Sequence, residues 1–296
     1  MEATQKVFTS YDIQACLYDE DRVRYFQEAI FRTVRPGDIV VDAGSGTGIL
    51  GLFAAQAGAA KVYCLEINED YVKVIQENAK RNMMQDVIIA THADATTCDL
   101  PRGVDVITVD VISAGFFYEP QLQILNNLTR FLRDGGSTVP IAMRNYVELI
   151  HAQEELYGLT FSYDTRYRAL ARDTALTNRV EYLGTTFGRQ TSPSVEATVR
   201  LRSHSPKTAN AVRISYSIQF APDLWISTPT EFLMNPQIIF LQEPIQLADG
   251  DEYNVYLAYE ASSSPVDCKL DITHAAPTPR GRPPRPVGTP SRRSRA

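Results

Sequence analysis

Four acidic residues stand at or just beyond the ends of apolar runs: Asp42, Glu66, Asp94 and Asp110. Carboxylates in such places can accept hydrogen bonds from the hydroxyl and amino groups of a ligand. A single acid at the end of a strand is often a turn residue or a helix cap. Four of them in successive units are harder to explain in that way, so we treat them as candidate binding residues.

The first of these acids opens a glycine-rich segment, Asp42-Ala43-Gly44-Ser45-Gly46-Thr47-Gly48, between two apolar runs. This pattern predicts a strand, a tight turn and a helix, and glycines let the backbone of the turn approach a ligand closely. The dinucleotide fingerprint would require glycine at position 49, where the chain has isoleucine, and the Gly-Lys-Ser/Thr of a phosphate loop is absent. The segment favours a nucleoside-like ligand without a pyrophosphate, with an ordinary tight turn as the alternative.

An α/β scaffold is required to bring these residues together. Apolar runs predict buried parallel strands that alternate with helices of three- and four-residue apolar spacing. The predicted strands span 39–41, 61–66, 87–90, 104–109 and 137–141, and the predicted helices begin near positions 20, 50, 69 and 122. Asp134-Gly135-Gly136 is expected to end the last helix. The fold class is therefore a Rossmann-like, doubly wound sheet, and ligands of such sheets bind at the carboxyl ends of the strands.

A nucleoside at that edge would need specific partners. Glu66, at the end of the second strand, is placed to accept hydrogen bonds from ribose hydroxyls. Asp94 and the backbone around Ala95 could bind the polar edge of adenine. If the ligand is S-adenosylmethionine, its carboxylate needs a cation, and Arg22 is the candidate because guanidinium groups bind carboxylates bidentately.

The second half of the chain has a different pattern. Residues 143–272 alternate polar and apolar side chains in short runs, which predicts an antiparallel β-barrel or sandwich. Residues 151–180 interrupt this pattern and are predicted to be partly helical. Residues 273–296 are rich in arginine and proline, and we expect a disordered tail there.

Charge and cysteine content narrow the function classes. The net charge is −6, and residues 274–296 carry six arginines and no acid, so the rest of the chain is near −12. An acidic body makes nucleic acid an unlikely partner and favours cationic substrates. The four cysteines are scattered without a CxxC pair, so no metal site is expected. With neither a signal peptide nor an 18-residue apolar run, the sequence predicts a cytoplasmic protein that does not enter a membrane.

The segment from Val41 to Leu50 resembles the first motif of class I S-adenosylmethionine-dependent methyltransferases. Its continuation through Ala59 is especially similar to the protein arginine methyltransferase family. That resemblance implies a methyltransferase that uses S-adenosylmethionine, with an N-terminal helical lid (1–33), a Rossmann-like cofactor domain (34–142) and a C-terminal β-barrel substrate domain (143–272). It also implies a homodimer formed through an arm within 151–180.

The same resemblance assigns roles to residues. Leu17-Tyr18-Asp19-Glu20-Asp21-Arg22 matches the family's lid pattern, so Arg22 would hold the cofactor carboxylate, with Phe8 and Tyr11 in the lid. The family binds its arginine acceptor with two glutamates nine residues apart. Glu119 matches the second. Spacing places Asp110 at the first, whereas the preceding serine places Ala114 there, in a shortened loop.

The chain also departs from the family. The Thr-His-Trp motif of the barrel falls at Leu233-Met234-Asn235, where no residue matches. This departure favours an arginine-like or amine acceptor in a protein or a small molecule over protein arginine specifically. The alternatives are a natural-product methyltransferase with a non-arginine acceptor and a non-catalytic relative that binds the cofactor. A nucleic-acid methylase is disfavoured, since Asp110-Val111-Ile112-Ser113 lacks the Asn/Asp-Pro-Pro-Tyr/Phe loop of the amino-methylating enzymes.

Overall fold

A parallel five-stranded sheet flanked by helices forms the first half of the protein in the computed structural model, which describes residues 10–275. Its elements in chain order are α1 (Ser10–Tyr18), α2 (Glu20–Thr33), β1 (Ile39–Ala43), α3 (Ile49–Gln56), β2 (Lys61–Glu66), α4 (Glu69–Arg81), β3 (Ile88–His92), β4 (Val104–Val109), α5 (Gln121–Leu128) and β5 (Leu132–Val139). The strand order is β3-β2-β1-β4-β5, and all neighbours are parallel. The predicted Rossmann-like fold is confirmed.

Two helices have a side chain that caps their N-terminus. Asp19 accepts a hydrogen bond from the backbone N–H of Arg22 at the start of α2, and Asn68 accepts one from Asp70 at the start of α4. These contacts satisfy N–H groups that have no partner within the helix. Acidic residues in the first turn of each helix add favourable interactions with the helix dipole.

The boundary between α5 and β5 differs from the prediction. The helix ends at Leu128, and Asp134-Gly135-Gly136 lies inside β5 instead of ending the helix. The pairing of β4 with β5 shifts register between Val104 and Val106, which marks a bulge in which Gly135 has a φ of 75°. Glycine in that conformation serves a bulge as well as a helix cap, so the sequence signal was ambiguous.

Two antiparallel sheets and a separate two-stranded hairpin form the second half, which confirms the predicted change of pattern. The strands are β6 (Ala142–His151), β7 (Glu155–Leu156), β8 (Leu159–Thr160), β9 (Thr165–Tyr167), β10 (Thr174–Ala175), β11 (Val180–Thr186), β12 (Ser194–Arg202), β13 (Thr208–Ala221), β14 (Leu224–Ile226), β15 (Gln237–Gln246), β16 (Glu252–Glu260) and β17 (Lys269–His274). The larger sheet runs β10-β6-β13-β15-β9, with β11 on β6 and β14 on β13. The smaller sheet runs β12-β16-β17.

The prediction that 151–180 is partly helical is wrong. The segment contains four short strands, β7 to β10, and among residues 10–275 no helix starts within it. The segment includes a β7–β8 hairpin with Tyr157 and Gly158 at its tip, and both of these residues have positive φ. The residues after 275, including most of the expected tail, lie outside the described part of the chain. No helix between residues 10 and 275 is long and apolar enough to span a membrane.

Candidate functional site

One cavity opens at the carboxyl ends of the parallel strands and brings most of the predicted site residues together. Those that line it are Arg22, Gly44, Gly46, Glu66, Asp94, Ala95, Asp110 and Glu119. They come from α2, the glycine turn, the last residue of β2 and the loops after β3 and β4. The topology explains the convergence, since neighbouring parallel strands end at the same edge of the sheet.

The glycine turn has the backbone that its sequence indicates. Gly44, Gly46 and Gly48 have φ values of 71°, 52° and 82°, which residues with a side chain rarely adopt. A Cβ on Gly44 would lie 2.7 Å from Cγ2 of Val111, and one on Gly46 would lie 3.1 Å from Cγ2 of Ile13. The turn is therefore pressed between the loop after β4 and helix α1, with its backbone at the cavity wall.

Glu66 connects the turn to the second strand. Its Oε2 accepts a hydrogen bond of 2.8 Å from the Gly46 N–H, and its Oε1 accepts one of 2.9 Å from the Asn68 N–H. Each carboxylate oxygen can still accept a further hydrogen bond. Asp94 has a similar arrangement, because its Oδ1 accepts bonds from the backbone and the hydroxyl of Thr96 at 2.8 and 2.6 Å.

Two of the predicted residues lie behind the cavity. Gly48 precedes α3 as its N-terminal cap. Asp42 is buried, and its carboxylate accepts bonds from the Thr108 hydroxyl at 2.8 Å and from the Gly51 N–H at 3.2 Å. Burial outweighs these bonds and raises the pKa of Asp42 to about 6. Asp42 thus supports the turn from below, and its predicted contact with the cofactor has no counterpart in the cavity lining.

A partly buried ion pair joins Arg22 to Asp110. The guanidinium donates from Nε to Oδ2 at 2.9 Å, from Nη2 to Oδ1 at 2.7 Å and from Nη2 to the Asp110 carbonyl at 3.3 Å. Nη1 lies 3.2 Å from Sγ of Cys16. Burial opposes the charge on Arg22, but the Asp110 carboxylate outweighs it and raises the pKa of Arg22, which therefore stays charged. These bonds use four of the five guanidinium N–H groups, so Arg22 can donate one more.

This ion pair bears on the two ways of matching the acceptor acids. The spacing match is favoured because Asp110 and Glu119 both line the cavity, whereas Ala114 is buried in a 3₁₀ turn. In this geometry, however, Asp110 is bound to Arg22. The role of Asp110 as an acceptor-binding acid stays a prediction, and the contacts favour a role on the cofactor side.

Helix α1 supplies cavity residues that the sequence reasoning missed. Ile13 and Cys16, which no prediction named, line the cavity beside Leu17 of the lid pattern, and burial raises the pKa of the Cys16 thiol to about 11. Their spacing of three and four residues on one helical face was the signal that could have identified them. Tyr11, by contrast, is 76% exposed and does not line the cavity, and Phe8 lies outside the described residues.

The segment at the place of the missing Thr-His-Trp motif is buried. Leu233, Met234 and Asn235 are buried, and the Met234 N–H donates a hydrogen bond of 2.7 Å to the hydroxyl of Tyr216. The preceding residues fasten the start of α2. Asp19 accepts a hydrogen bond from the Thr230 hydroxyl and another, of 2.8 Å, from the Phe232 N–H.

Comparisons with known proteins agree with this geometry. The family model of ribosomal protein L11 methyltransferase (PrmA) matches residues 23–143. An uncharacterised protein of Methanocaldococcus jannaschii is 30% identical over 139 residues, which cover 46% of this chain and 53% of that protein. The probable protein arginine N-methyltransferase 6 of Arabidopsis thaliana is 34% identical over 125 residues, covering 41% and 28%.

Structural similarity extends further than sequence similarity. The Trypanosoma brucei PRMT1 enzyme-prozyme heterotetrameric complex, solved with AdoHcy, contains a chain that superposes with a TM-score of 0.74 at 19% identity, covering 90% of this chain and 94% of that one. At this identity the match shows the fold alone. The chain spans about half the length of the first relative and 28% of the second. It resembles class I S-adenosylmethionine-dependent methyltransferases, and the protein arginine methyltransferases among them.

Proposed function

We propose that this protein is an S-adenosylmethionine-dependent N-methyltransferase whose acceptor is a guanidino or amine group of a protein or a small molecule. The observation that carries the proposal is the set of residues that line the cavity at the carboxyl ends of the parallel strands. A glycine turn, two strand-end acids and a charged arginine surround one part of it, and Glu119 lies on the wall contributed by the loop after β4.

The hydrogen-bonding groups of the cavity fit S-adenosylmethionine. Glu66 retains acceptor capacity for ribose hydroxyls, and Asp94 with the backbone of Ala95 could bind the adenine edge. The remaining N–H of Arg22 suits the cofactor carboxylate, and Gly44 and Gly46 leave room where a side chain would not fit. When bound, S-adenosylmethionine supplies a methyl group on a positively charged sulfur, which is already activated for transfer.

The chain's contribution is positioning and electrostatics. Asp110 holds the Arg22 guanidinium in place through two atoms of its carboxylate. The Glu119 carboxylate would accept N–H bonds from the acceptor, orient one nitrogen and stabilise the positive charge beside it. Helix α1 covers the glycine turn through Ile13, which excludes water from the cofactor.

A small acceptor is supported by a second observation. Asp110 is bound to Arg22. We therefore assign the binding of the acceptor to Glu119, which also lines the cavity. One carboxylate suits a primary or secondary amine as well as a guanidinium. Leu233, Met234 and Asn235, at the place of the family's Thr-His-Trp motif, are buried and are not among the residues that line the cavity.

Methyl transfer from labelled S-adenosylmethionine tests the proposal. The panel contains free arginine, arginine peptides and small amines, with single- and double-stranded oligonucleotides as negative controls. We expect label in at least one arginine or amine compound and none in nucleic acid. Calorimetric binding of the cofactor with no transfer to any compound would instead support the non-catalytic alternative.

The exposed β7–β8 hairpin supports a homodimer as a further part of the proposal. Tyr157 at its tip is 97% exposed, and Leu159 is 63% exposed. Neighbouring exposed apolar side chains can form part of a contact surface, and we propose that these two do so. A cytoplasmic location, predicted from the sequence, remains a proposal.

A further inference from the structure

The loop that carries Glu119, residues 113–120, is held in an unusual conformation. We call it the acceptor loop. Gly115, Phe116 and Tyr118 have φ values of 66°, 59° and 61°. Bulky residues rarely adopt positive φ, so a backbone of this kind persists only where neighbouring groups determine it.

Two backbone hydrogen bonds tie the acceptor loop to a turn of the smaller sheet, residues 261–264, which follows β16. The Ser262 N–H donates to the Phe116 carbonyl at 2.7 Å. The Tyr118 N–H donates to the Ser263 carbonyl at 3.0 Å. These bonds flank Phe117 and hold two of the three residues with positive φ, Phe116 and Tyr118, against the turn.

A third contact comes from a side chain and reaches Glu119 itself. The hydroxyl of Ser262 lies 3.0 Å from the carbonyl oxygen of Glu119 and 2.9 Å from Oε1 of Gln123 in α5. One hydroxyl proton is therefore shared between two acceptors. Gln123 in turn donates from Nε2 to the Ala261 carbonyl at 3.1 Å. The turn, the end of the acceptor loop and the first turns of α5 form one hydrogen-bonded unit.

The rest of the acceptor loop rests on the same half of the molecule. The ring of Phe117 lies 4.4 Å from that of Tyr259, whose hydroxyl is 2.7 Å from that of Tyr182. The Gly115 N–H donates to Oδ1 of Asn145 at 2.9 Å. Every one of these contacts comes from the second half of the chain.

We propose that Ser262 is a positioning residue for Glu119. It acts through the Glu119 carbonyl and α5, so the smaller sheet determines where the acceptor-binding carboxylate stands relative to the cofactor. This inference rests on the proposed function, in which Glu119 holds the acceptor. It assigns a specific part in catalysis to a residue that touches neither the cofactor nor the acceptor.

The neighbouring serine provides a matched control. Ser263 has a buried hydroxyl for which the described residues offer no hydrogen-bond partner. Ser262 has a φ of 70°, so Ser262→Gly removes the hydroxyl and relieves backbone strain, whereas Ser262→Ala removes the hydroxyl alone. Ser263→Ala removes a hydroxyl that makes no hydrogen bond to the acceptor loop.

Steady-state kinetics with the best acceptor of the panel gives the first readout. We expect Ser262→Gly and Ser262→Ala to lower kcat/KM for the acceptor about 10-fold, because small displacements of a binding group are costly to the rate. The calorimetric Kd for S-adenosylmethionine and the thermal midpoint of Ser262→Gly should stay at wild-type values, as should all parameters of Ser263→Ala. Wild-type kcat/KM in Ser262→Gly, or an equal loss in Ser263→Ala, would overturn the inference.

Hydrogen exchange of the acceptor-loop amides gives a second readout that needs no activity. Ser262→Gly should speed exchange at residues 113–119, and Ser263→Ala should not. If the wild type transfers methyl to nothing while this difference is seen, the proposed function fails and the positioning role of Ser262 stands. If exchange is the same in both variants, the positioning role fails regardless of activity.

Discussion

Asp42 shows how a single residue supports the site without touching the ligand. It is a buried carboxylate beneath the glycine turn, hydrogen-bonded to Thr108 and Gly51. Asparagine has the same shape and can serve both neighbours, since the Thr108 hydroxyl can turn towards the Val41 carbonyl, 3.5 Å away. Burying the charge of Asp42 therefore lowers the free energy of unfolding, and a neutral side chain of the same shape avoids that loss.

Asp42→Asn should change how stability depends on pH. Burial raises the pKa of Asp42 from 3.8 to about 6, so between these values the folded state binds a proton that the unfolded state releases. The contribution of Asp42 to the free energy of unfolding therefore falls as the pH rises through this window, by about 3 kcal/mol in total. Urea unfolding at pH 4 and pH 7 should show the variant gaining on the wild type by that order. Parallel changes in the two proteins would contradict the assignment.

The role of Gly46 can be tested by comparison with Gly250, which also has a positive φ. Gly46→Ala forces Ile13 of α1 to move, since a Cβ would lie 3.1 Å from it, whereas a Cβ on Gly250 meets nothing within 4 Å. Both glycines have positive φ, so each alanine variant should lose about 1 kcal/mol of stability. Only Gly46→Ala should also weaken S-adenosylmethionine binding, by about 10-fold in calorimetry. Equal affinity in the two variants would mean that the cofactor does not contact this turn.

At the scale of elements, helices α1 and α2 are fastened to the second half of the chain by Asp19. Its carboxylate caps α2 and binds Thr230 and Phe232 in the loop between β14 and β15. The same helix pair supplies Ile13, Cys16 and Arg22 to the cavity. The helices that line the cavity and the loop between β14 and β15 are therefore joined through one carboxylate.

Thr230→Val should loosen this connection. The variant keeps the shape of the side chain but removes a hydrogen bond to the buried Asp19 carboxylate, which is worth about 2 kcal/mol, and the hydroxyl that accepts a bond of 2.9 Å from the Leu233 N–H. Hydrogen exchange within α1 and α2 should accelerate, and cofactor affinity should fall several-fold. Thr230→Ser keeps the hydroxyl and should behave as the wild type. If exchange in both variants is unchanged, Thr230 does not hold the helices.

The limits of sequence reasoning are clearest at this scale. Strands β2 and β4 follow the predicted bounds to the residue, because continuous apolar runs ending in an acid identify buried parallel strands. The contacts of Arg22 with Asp110 and of Ser262 with Glu119 join residues 88 and 143 positions apart. No local pattern encodes such pairs, so their roles emerge only from the fold. The prediction of partly helical structure for residues 151–180 was wrong for a different reason. Strands of two or three residues are too short to show period-two alternation.

For the molecule as a whole, the β7–β8 hairpin is the surface that we propose as a homodimer interface. Tyr157→Ser combined with Leu159→Ser removes its most exposed apolar side chains. If the hairpin forms the proposed homodimer, the wild type should sediment as a dimer and the double variant mainly as a monomer. Met83→Ser is the matched control, because Met83 is 86% exposed and lies at the end of α4. A monomeric wild type at micromolar concentration would dispose of the homodimer.

The central claim is that one cavity binds S-adenosylmethionine and presents the acceptor nitrogen to it through Glu119. Single-turnover methyl transfer by Glu119→Gln, at saturating cofactor, tests it most directly, with Glu243→Gln in the exposed part of β15 as the control. We expect Glu119→Gln to transfer at least about 100-fold more slowly, because the charge that orients the acceptor is lost, while its calorimetric affinity for the cofactor equals that of the control. Transfer at the wild-type rate by Glu119→Gln would mean that Glu119 does not bind the acceptor.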